Sequence, residues 1–262
     1  MEITFYKFHG AGNDFILIDN RNKMFPARQE VVSWLCARHT GIGADGLILL
    51  ENTGNADFSM RYFNADGGES TLCGNGGRCI TAFAAQLGII RESTVFSAID
   101  GLHESKILSA EKNLSIASLR MNHVDKVSEL EEGFYLNTGS PHLVRFSKDV
   151  DAIDLITEGK KIRNLEKFAP HGVNVNFVQF IPDGIYVRTY ERGVEAETLS
   201  CGTGAVASAI AASLKSGGIK SPVSVKARGG NLQVVFDRDE TGFGNIWLEG
   251  PAVCVFSGTV NL

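Results

Sequence analysis

Two stretches decide how this chain reads: CGNGGRCITAFAAQLG at 73–88 and CGTGAVASAIAASLKSG at 201–217. Each opens Cys-Gly-x-Gly and runs on into an apolar segment. In the first, Ile80, Phe83, Ala84 and Leu87 stand at i, i+3, i+4 and i+7, the spacing of one helical face. The second is almost wholly small and apolar, and a helix without a polar face is buried on all sides. Gly88 and Gly217 follow where a left-handed residue can stop each helix. The cysteines lie 201 − 73 = 128 positions apart, about half of the 262 residues. We read a weak internal repeat, in which each half wraps a β-sheet around one central helix.

The rest of the chain is rich in strands. ITFYKF (3–8), DFILID (14–19), FSMRYF (58–63), VNFVQFI (175–181), GIYVRTY (184–190), LQVVF (232–236) and PAVCVF (251–256) are short, rich in Val, Ile, Phe and Tyr, and bounded by turn formers. Helical spacing recurs at Gln29–His39 and Val150–Lys161. GIGADG (41–46) satisfies G-x-G-x-x-G, but an expected helix precedes it and LILL follows, the reverse of a dinucleotide fingerprint.

Composition narrows the class. Apolar residues make up 44% and charged residues 21%, which excludes disorder as the main state. Glycine, at 29, far outnumbers proline, at 6, as tight turns and close backbone approaches require. The net charge of −5, without a Lys/Arg cluster, argues against nucleic acid. No signal peptide and no spanning apolar run is visible, so the expectation is a cytoplasmic protein without a membrane partner. Five cysteines are too few for a disulfide scaffold, and Cys36, Cys79 and Cys254 read as small core residues. Cys73 and Cys79 lack the companion pair that zinc spacing needs, so no metal site is expected.

A cysteine at a helix start is placed to ionise, because the dipole and free N–H groups favour thiolate. Those N–H groups also suit a carboxylate, and the glycines let a ligand approach the backbone. One such cysteine suggests a nucleophile. Two, on equivalent helices across a cleft, suggest an acid and a base on opposite sides of one atom. That arrangement inverts a stereocentre.

HGAGNDF (9–15), NADGGESTLCGNGGRC (64–79), GSPH (139–142), VNVNF (173–177) and YERGVEAETLSCGTGA (190–205) together resemble the diaminopimelate epimerase family. The resemblance implies a racemase free of PLP and metal, with no cofactor. It would interconvert LL- and meso-diaminopimelate on the route to lysine and peptidoglycan, as a homodimer. The implied fold is α/β (α+β), with two similar domains, each a curled β-sheet around a central helix, and a last strand returning to the first domain. The expected halves are 1–118 with 252–262, and 119–251. Position by position, the resemblance makes Cys73 and Cys201 the catalytic pair. Gly74, Asn75, Gly202 and Thr203 would hold the carboxylate at the reacting centre. Asn13, Asn64, Asn174 and Arg192 match substrate-binding residues, with Arg192 suited to a bidentate grip on the distal carboxylate. Glu191 and His142 match groups close to the cysteines.

Three positions depart from the family pattern. Ser140 replaces an Asn in GNPH, Gly46 stands where some members carry a side-chain contact, and the loop from Arg192 to Cys201 is one residue longer. Against its supporting role, His142 after a proline could be a solvated surface histidine, and Asn13 and Asn64, read without the family match, would be turn residues. The competing functions are a proline or hydroxyproline racemase, a phenazine-pathway type isomerase lacking the cysteine pair, and a non-enzymatic thiol-switch binding protein. A thiol switch would show close CxxC spacing. A PLP racemase would need a lysine in a recognisable Schiff-base context, and none stands out.

Overall fold

A computed structural model describes residues 1–216 and 219–262. The helix stop expected at Gly217 lies outside the described residues. The chain forms two compact units, Met1–Leu119 with Gly250–Leu262, and Arg120–Glu249.

The first unit is a closed ring of strands. In chain order its elements are β1 (Glu2–Gly10), β2 (Asn13–Asp19), α1 (Gln29–Cys36), β3 (Gly46–Glu51), β4 (Phe58–Asn64), β5 (Glu69–Ser70), α2 (Gly74–Gln86), β6 (Ser93–Ala98), β7 (Gly101–Glu111) and β8 (Leu114–Arg120). The ring passes β1–β2–β3–β4–β6–β7–β8 and is closed by residues 250–261 of the last strand, which pair with both β8 and β1. Closure gives each strand of the ring a neighbour on both sides over part of its length. Helix α2 fills the ring: Phe83 meets Tyr6 and Phe8, and the Thr81 and Ser105 hydroxyls are 2.7 Å apart. Helix α1 packs outside it, where Val32, Leu35 and Cys36 meet Ile16, Ile18, Leu47 and Leu49.

The second unit repeats this wiring. It contains β9 (Val127–Leu130), β10 (Gly133–Asn137), β11 (Pro141–Phe146), α3 (Leu155–Arg163), β12 (Asn174–Ile181), β13 (Gly184–Glu191), β14 (Ala196–Thr198), α4 (Gly202–Ser216), β15 (Val223–Ala227), β16 (Gly230–Asp239) and the start of β17 (Gly242–Asn261). The parallel pairs β2–β3 and β4–β6 recur as β11–β12 and β13–β15. The antiparallel pairs β3–β4 and β6–β7 recur as β12–β13 and β15–β16. Val206, Ala207, Ala209, Ile210 and Ala211 of α4 are buried, as a helix with no polar face must be. The outer helix α3 begins at Leu155, five residues later than its apolar spacing suggests. Asp154 caps it, accepting from the Thr157 N–H at 3.2 Å.

The reading of GIGADG holds, since it runs through the loop ahead of β3 into that strand's first residue, with a helix before it and a strand after it, while the reading of Cys254 as a core residue changes. Cys36 and Cys79 are buried, whereas Cys254 on β17 is only half-buried, since that strand's outer residues Val255 and Phe256 are exposed. Burial pushes the Cys36 and Cys79 thiols up to about 12, so both stay neutral. Among the described residues no helix is long and apolar enough to cross a membrane.

Gly46 has a packing reason. A Cβ there would lie 2.5 Å from Cε2 of Tyr62 and 2.6 Å from the Phe63 carbonyl. The latter is backbone in β4 and cannot swing aside. Gly46→Ala should therefore destabilise the fold by about 1–3 kcal/mol, the cost of overpacking. The check is the denaturant midpoint, and an unchanged midpoint would refute this account.

Candidate active site

Both cysteines stand at the start of a buried helix. The Cys73 carbonyl accepts from the Gly77 N–H at 2.8 Å, and the Cys201 carbonyl accepts from the Ala205 N–H at 2.9 Å. Each is thus the last residue outside its helix, with the dipole's positive end beside its thiol. Both are partly exposed, unlike Cys36 and Cys79.

Around Cys73 the structure gathers Asn13 and Asn75. Asn13 Nδ2 donates to the Asp45 carboxylate, an acceptor that leaves the amide one orientation. Its Oδ1 therefore faces Asn75 Nδ2 at 3.3 Å and Cys73 Sγ at 3.7 Å. Asp45 is itself held by Arg38 at 2.7 Å, and Arg38 and Lys7 hold Asp14 at 2.8 and 2.6 Å. Burial opposes ionisation of Asp14, yet the bonds from Lys7 and Arg38 outweigh it and keep the carboxyl below its ordinary range. Asn64 is placed differently. It ends β4 in a tight turn, accepting from the Gly67 N–H at 2.9 Å, and its side chain is exposed. Turn chemistry is thus part of its role.

Around Cys201 the network is longer. His142 is not a surface residue but is fully buried on β11. Asn176 Nδ2 donates to the Leu143 carbonyl at 3.2 Å, which can only accept, and this fixes the Asn176 amide. The same Nδ2 lies 3.0 Å from His142 Nδ1, which must then be the acceptor. The ring proton accordingly sits on Nε2, 2.9 Å from Thr203 Oγ1. Thr203 Oγ1 is in turn 3.5 Å from Cys201 Sγ, so its own proton is free to point at the sulfur. Desolvation above all, helped by the Arg192 charge, lowers the His142 pKa to about 3. The imidazole is a neutral orienting group, and the thiol receives a donor instead of a second charge.

Asn174 binds the scaffold at both ends of its amide. Its Nδ2 donates to Ser140 Oγ at 2.9 Å and the Pro141 carbonyl at 3.2 Å, and its Oδ1 accepts the Arg192 N–H at 2.8 Å. Ser140 therefore serves Asn174, which sets where Arg192 leaves β13. Arg192 Nη1 also reaches the His171 carbonyl at 3.4 Å. Glu191 is half-buried, and burial pushes its carboxyl up. The lengthened loop after Arg192 forms β14, whose Ala196 pairs with Glu191.

The sequence reading missed Asn176 and Asp45 as orienting residues. Asn176 lies inside VNVNF, but nothing in its spacing says which ring nitrogen it meets. The helix glycines also do more than admit a ligand. A Cβ on Gly76 would sit 3.1 Å from Ile48 Cδ1, and one on Gly204 would sit 2.4 Å from Asn176 Oδ1.

His142 carries a pH dependence. An unfolded histidine titrates near 6.5, while the folded one stays neutral down to about 3. Between those values the unfolded chain binds more protons, so stability falls as pH drops below about 6.5. His142→Gln should lessen the loss of unfolding free energy between pH 7.5 and pH 5 by about 2 kcal/mol. Denaturant melts of both proteins at the two pH values read this directly, and equal losses would contradict it.

Comparison with known proteins gives the family of the chain. The family model described as diaminopimelate epimerase matches residues 5–122 and 134–255. A protein named diaminopimelate epimerase from Flavobacterium psychrophilum is 48% identical over 97% of this chain and 99% of its own length. One of the same name from Chlorobaculum tepidum is 44% identical, over 97% and 99%. Among solved structures, a phenazine biosynthesis protein of the PhzF family from Bacillus anthracis superposes with TM-score 0.80 at 15% identity, over all of both chains. A hydroxyproline epimerase from Agrobacterium vitis does so with TM-score 0.63 at 16% identity, over 100% of this chain and 93% of its own. At those identities the likeness is one of fold. With a family match across both halves and full-length relatives at 48% and 44% identity, the chain belongs to the diaminopimelate epimerase family and is an isomerase.

Proposed function

We propose that the protein epimerises LL-2,6-diaminopimelate to meso-diaminopimelate, with Cys73 and Cys201 as the acid–base pair. The observation that carries this reading is the repeated helix start: two partly exposed cysteines, the carbonyl of each accepting the first bond of a buried helix, in a chain of this family. One cysteine, as thiolate, takes the α-proton. The other, as thiol, gives its proton to the opposite face of the carbon. After turnover their protonation states are exchanged, so the reverse reaction starts where the forward one ends. N–H groups of the first helical turns, at Gly74, Asn75, Gly202 and Thr203, receive the carboxylate of the reacting centre.

The α-proton of an amino acid is far less acidic than a thiol, and each pKa unit of mismatch is about 1.4 kcal/mol. With the thiols alone moving the proton, binding energy from the remote end of the substrate must lower the barrier. We assign that grip to Arg192, with Asn64, and with Asn174 and Ser140 positioning Arg192. Asn13 and His142 orient the thiol environments. The same reading makes the protein a cytoplasmic homodimer working without a cofactor, and sedimentation tests the dimer.

Proton exchange in deuterated water with LL-diaminopimelate is the direct assay. Cys73→Ala and Cys201→Ala should each lose turnover by 10²–10⁴-fold, as removal of a general acid or base does. If either retained more than about a tenth of wild-type rate, against that expectation, the two-base assignment would fall. Substrates lacking the distal carboxylate or amine should lose kcat as well as affinity. Arg192→Lys should also be severe, because an ammonium cannot reproduce a planar two-point contact. Racemisation of lysine with an undiminished kcat would point to a broad-specificity racemase instead.

A further inference from the structure

Arg78 is the most unusual charge in the first unit. It lies in the second turn of α2, fully buried, and its large side chain has no exposed atom. Its Nη2 donates to Asn75 Oδ1 at 2.9 Å and its Nη1 to the Gly74 carbonyl at 3.3 Å, while Nε has no partner. Among the described residues no carboxylate lies within ion-pair reach of it. A buried charge is tolerated when an opposite charge compensates it, and a guanidinium does not give up its proton. It also stands near the positive end of α2, where the dipole makes a cation less welcome still.

The groups around it that can become negative are thiols. Cys79 and Cys73 both act on the Arg78 charge. Cys79 is fully buried and stays neutral, its thiol pushed up to about 12 by desolvation. Cys73 is partly exposed, follows the helix dipole and precedes the very residue whose carbonyl Arg78 holds.

We propose that Arg78 is a positioning residue for the acid–base chemistry: its buried guanidinium, anchored on Gly74 and Asn75, is the charge against which Cys73 ionises. Other groups facing α2 work with or against it. Tyr6 comes from β1 through its contact with Phe83, and Cys254 of β17 reaches Gln86 at the far end of the helix. From the turn before β7, Asp100 accepts from the Leu72 N–H at 3.4 Å and holds His103 at 3.2 Å. Asp45 reaches the site through Asn13, whose Oδ1 accepts from the Cys73 thiol and so favours its protonated form. The Arg78 charge offsets these acidic neighbours and that acceptor. The inference rests on Cys73 being an acid–base residue, but its test reads thiol chemistry and not turnover.

The experiment is iodoacetamide alkylation of the whole protein across pH 5–10, quantified separately for the Cys73 and Cys201 peptides. Arg78→Gln should move the Cys73 profile up by at least about one pH unit, the scale of one nearby charge in a protein. Cys201 in the same molecules should not move. Arg78→Lys keeps the charge without the planar fork, and should hold Cys73 within about half a unit of wild type. An unmoved Cys73 in folded Arg78→Gln overturns the proposal, as does an equal shift in Arg78→Lys, which would mark a purely structural role. If neither variant folds, the wild type and Cys73→Ala decide. A thiol that ionises below its unfolded value of about 8.5 adds stability as pH rises toward 8.5. The rise in unfolding free energy from pH 6.5 to 8.5 should therefore be smaller in Cys73→Ala, and equal rises would overturn the proposal. Failure of the two-cysteine reading would show elsewhere, in an alanine variant that still turns over.

Discussion

The bond from a first-turn amide back to a cysteine carbonyl is the constraint on which the rest depends. Gly77 to Cys73 and Ala205 to Cys201 make the same bond, and each begins a helix buried inside a curled sheet. Burying a helix costs nothing in its middle, where every backbone group is paired along its length. The cost falls at the ends, where four N–H groups have no helical partner. In this chain the N-terminal ends stay partly exposed and carry the thiols. The scaffold therefore produces two positively biased, hydrogen-bond-hungry positions, and each has a cysteine at its edge.

Much of this was legible in the sequence because it rests on periodicity and on small residues. Helix α4 runs over Gly202–Ser216 as its apolar spacing implies, and α2 over Gly74–Gln86. Some of the strands missed, though not the buried β3, have weak burial. Strand β7 shows the pattern eeieBeieeee, with Leu102 and Leu108 on its exposed side, so its apolar residues do not alternate as a half-buried strand's do. The outer helix α3 starts late because a cap decides helix starts. Asp154 supplies a side-chain acceptor that apolar spacing at Val150 and Ile153 cannot announce.

The site was legible in its residue types and illegible in its wiring. Motif spacing marks Asn13, His142 and Asn174, but not which atom each one faces. His142 sits on a strand, with both ring nitrogens used, because β11 lies beside β12 in parallel register and brings Asn174 and Asn176 alongside it. That pairing joins residues more than thirty positions apart, beyond the reach of any local pattern. Gly46, Gly76 and Gly204 carry the same lesson. A Cβ at Gly46 would meet Tyr62 and the Phe63 carbonyl, one at Gly204 would meet Asn176 Oδ1, and one at Gly76 would press on the end of Ile48, all from segments far along the chain.

The two thiols are supplied by different physics within the same helical frame. At Cys201 the neighbour is a hydroxyl whose direction is set by a neutral, fully buried histidine, itself fixed by an amide whose orientation a carbonyl dictates. No full charge is required beside the sulfur. At Cys73 the side-chain amide turns an acceptor toward the sulfur, because Asp45 claims its donor, and the favourable field must come from elsewhere. The helix end supplies part of it, and Arg78 lies buried behind the first turn. A reaction that runs in both directions needs thiols that ionise with comparable ease. Identical surroundings are not needed for that, only surroundings whose sums agree. The internal repeat accounts for the helices, the cysteines and the sheet wiring, while the side chains around the two sulfurs differ.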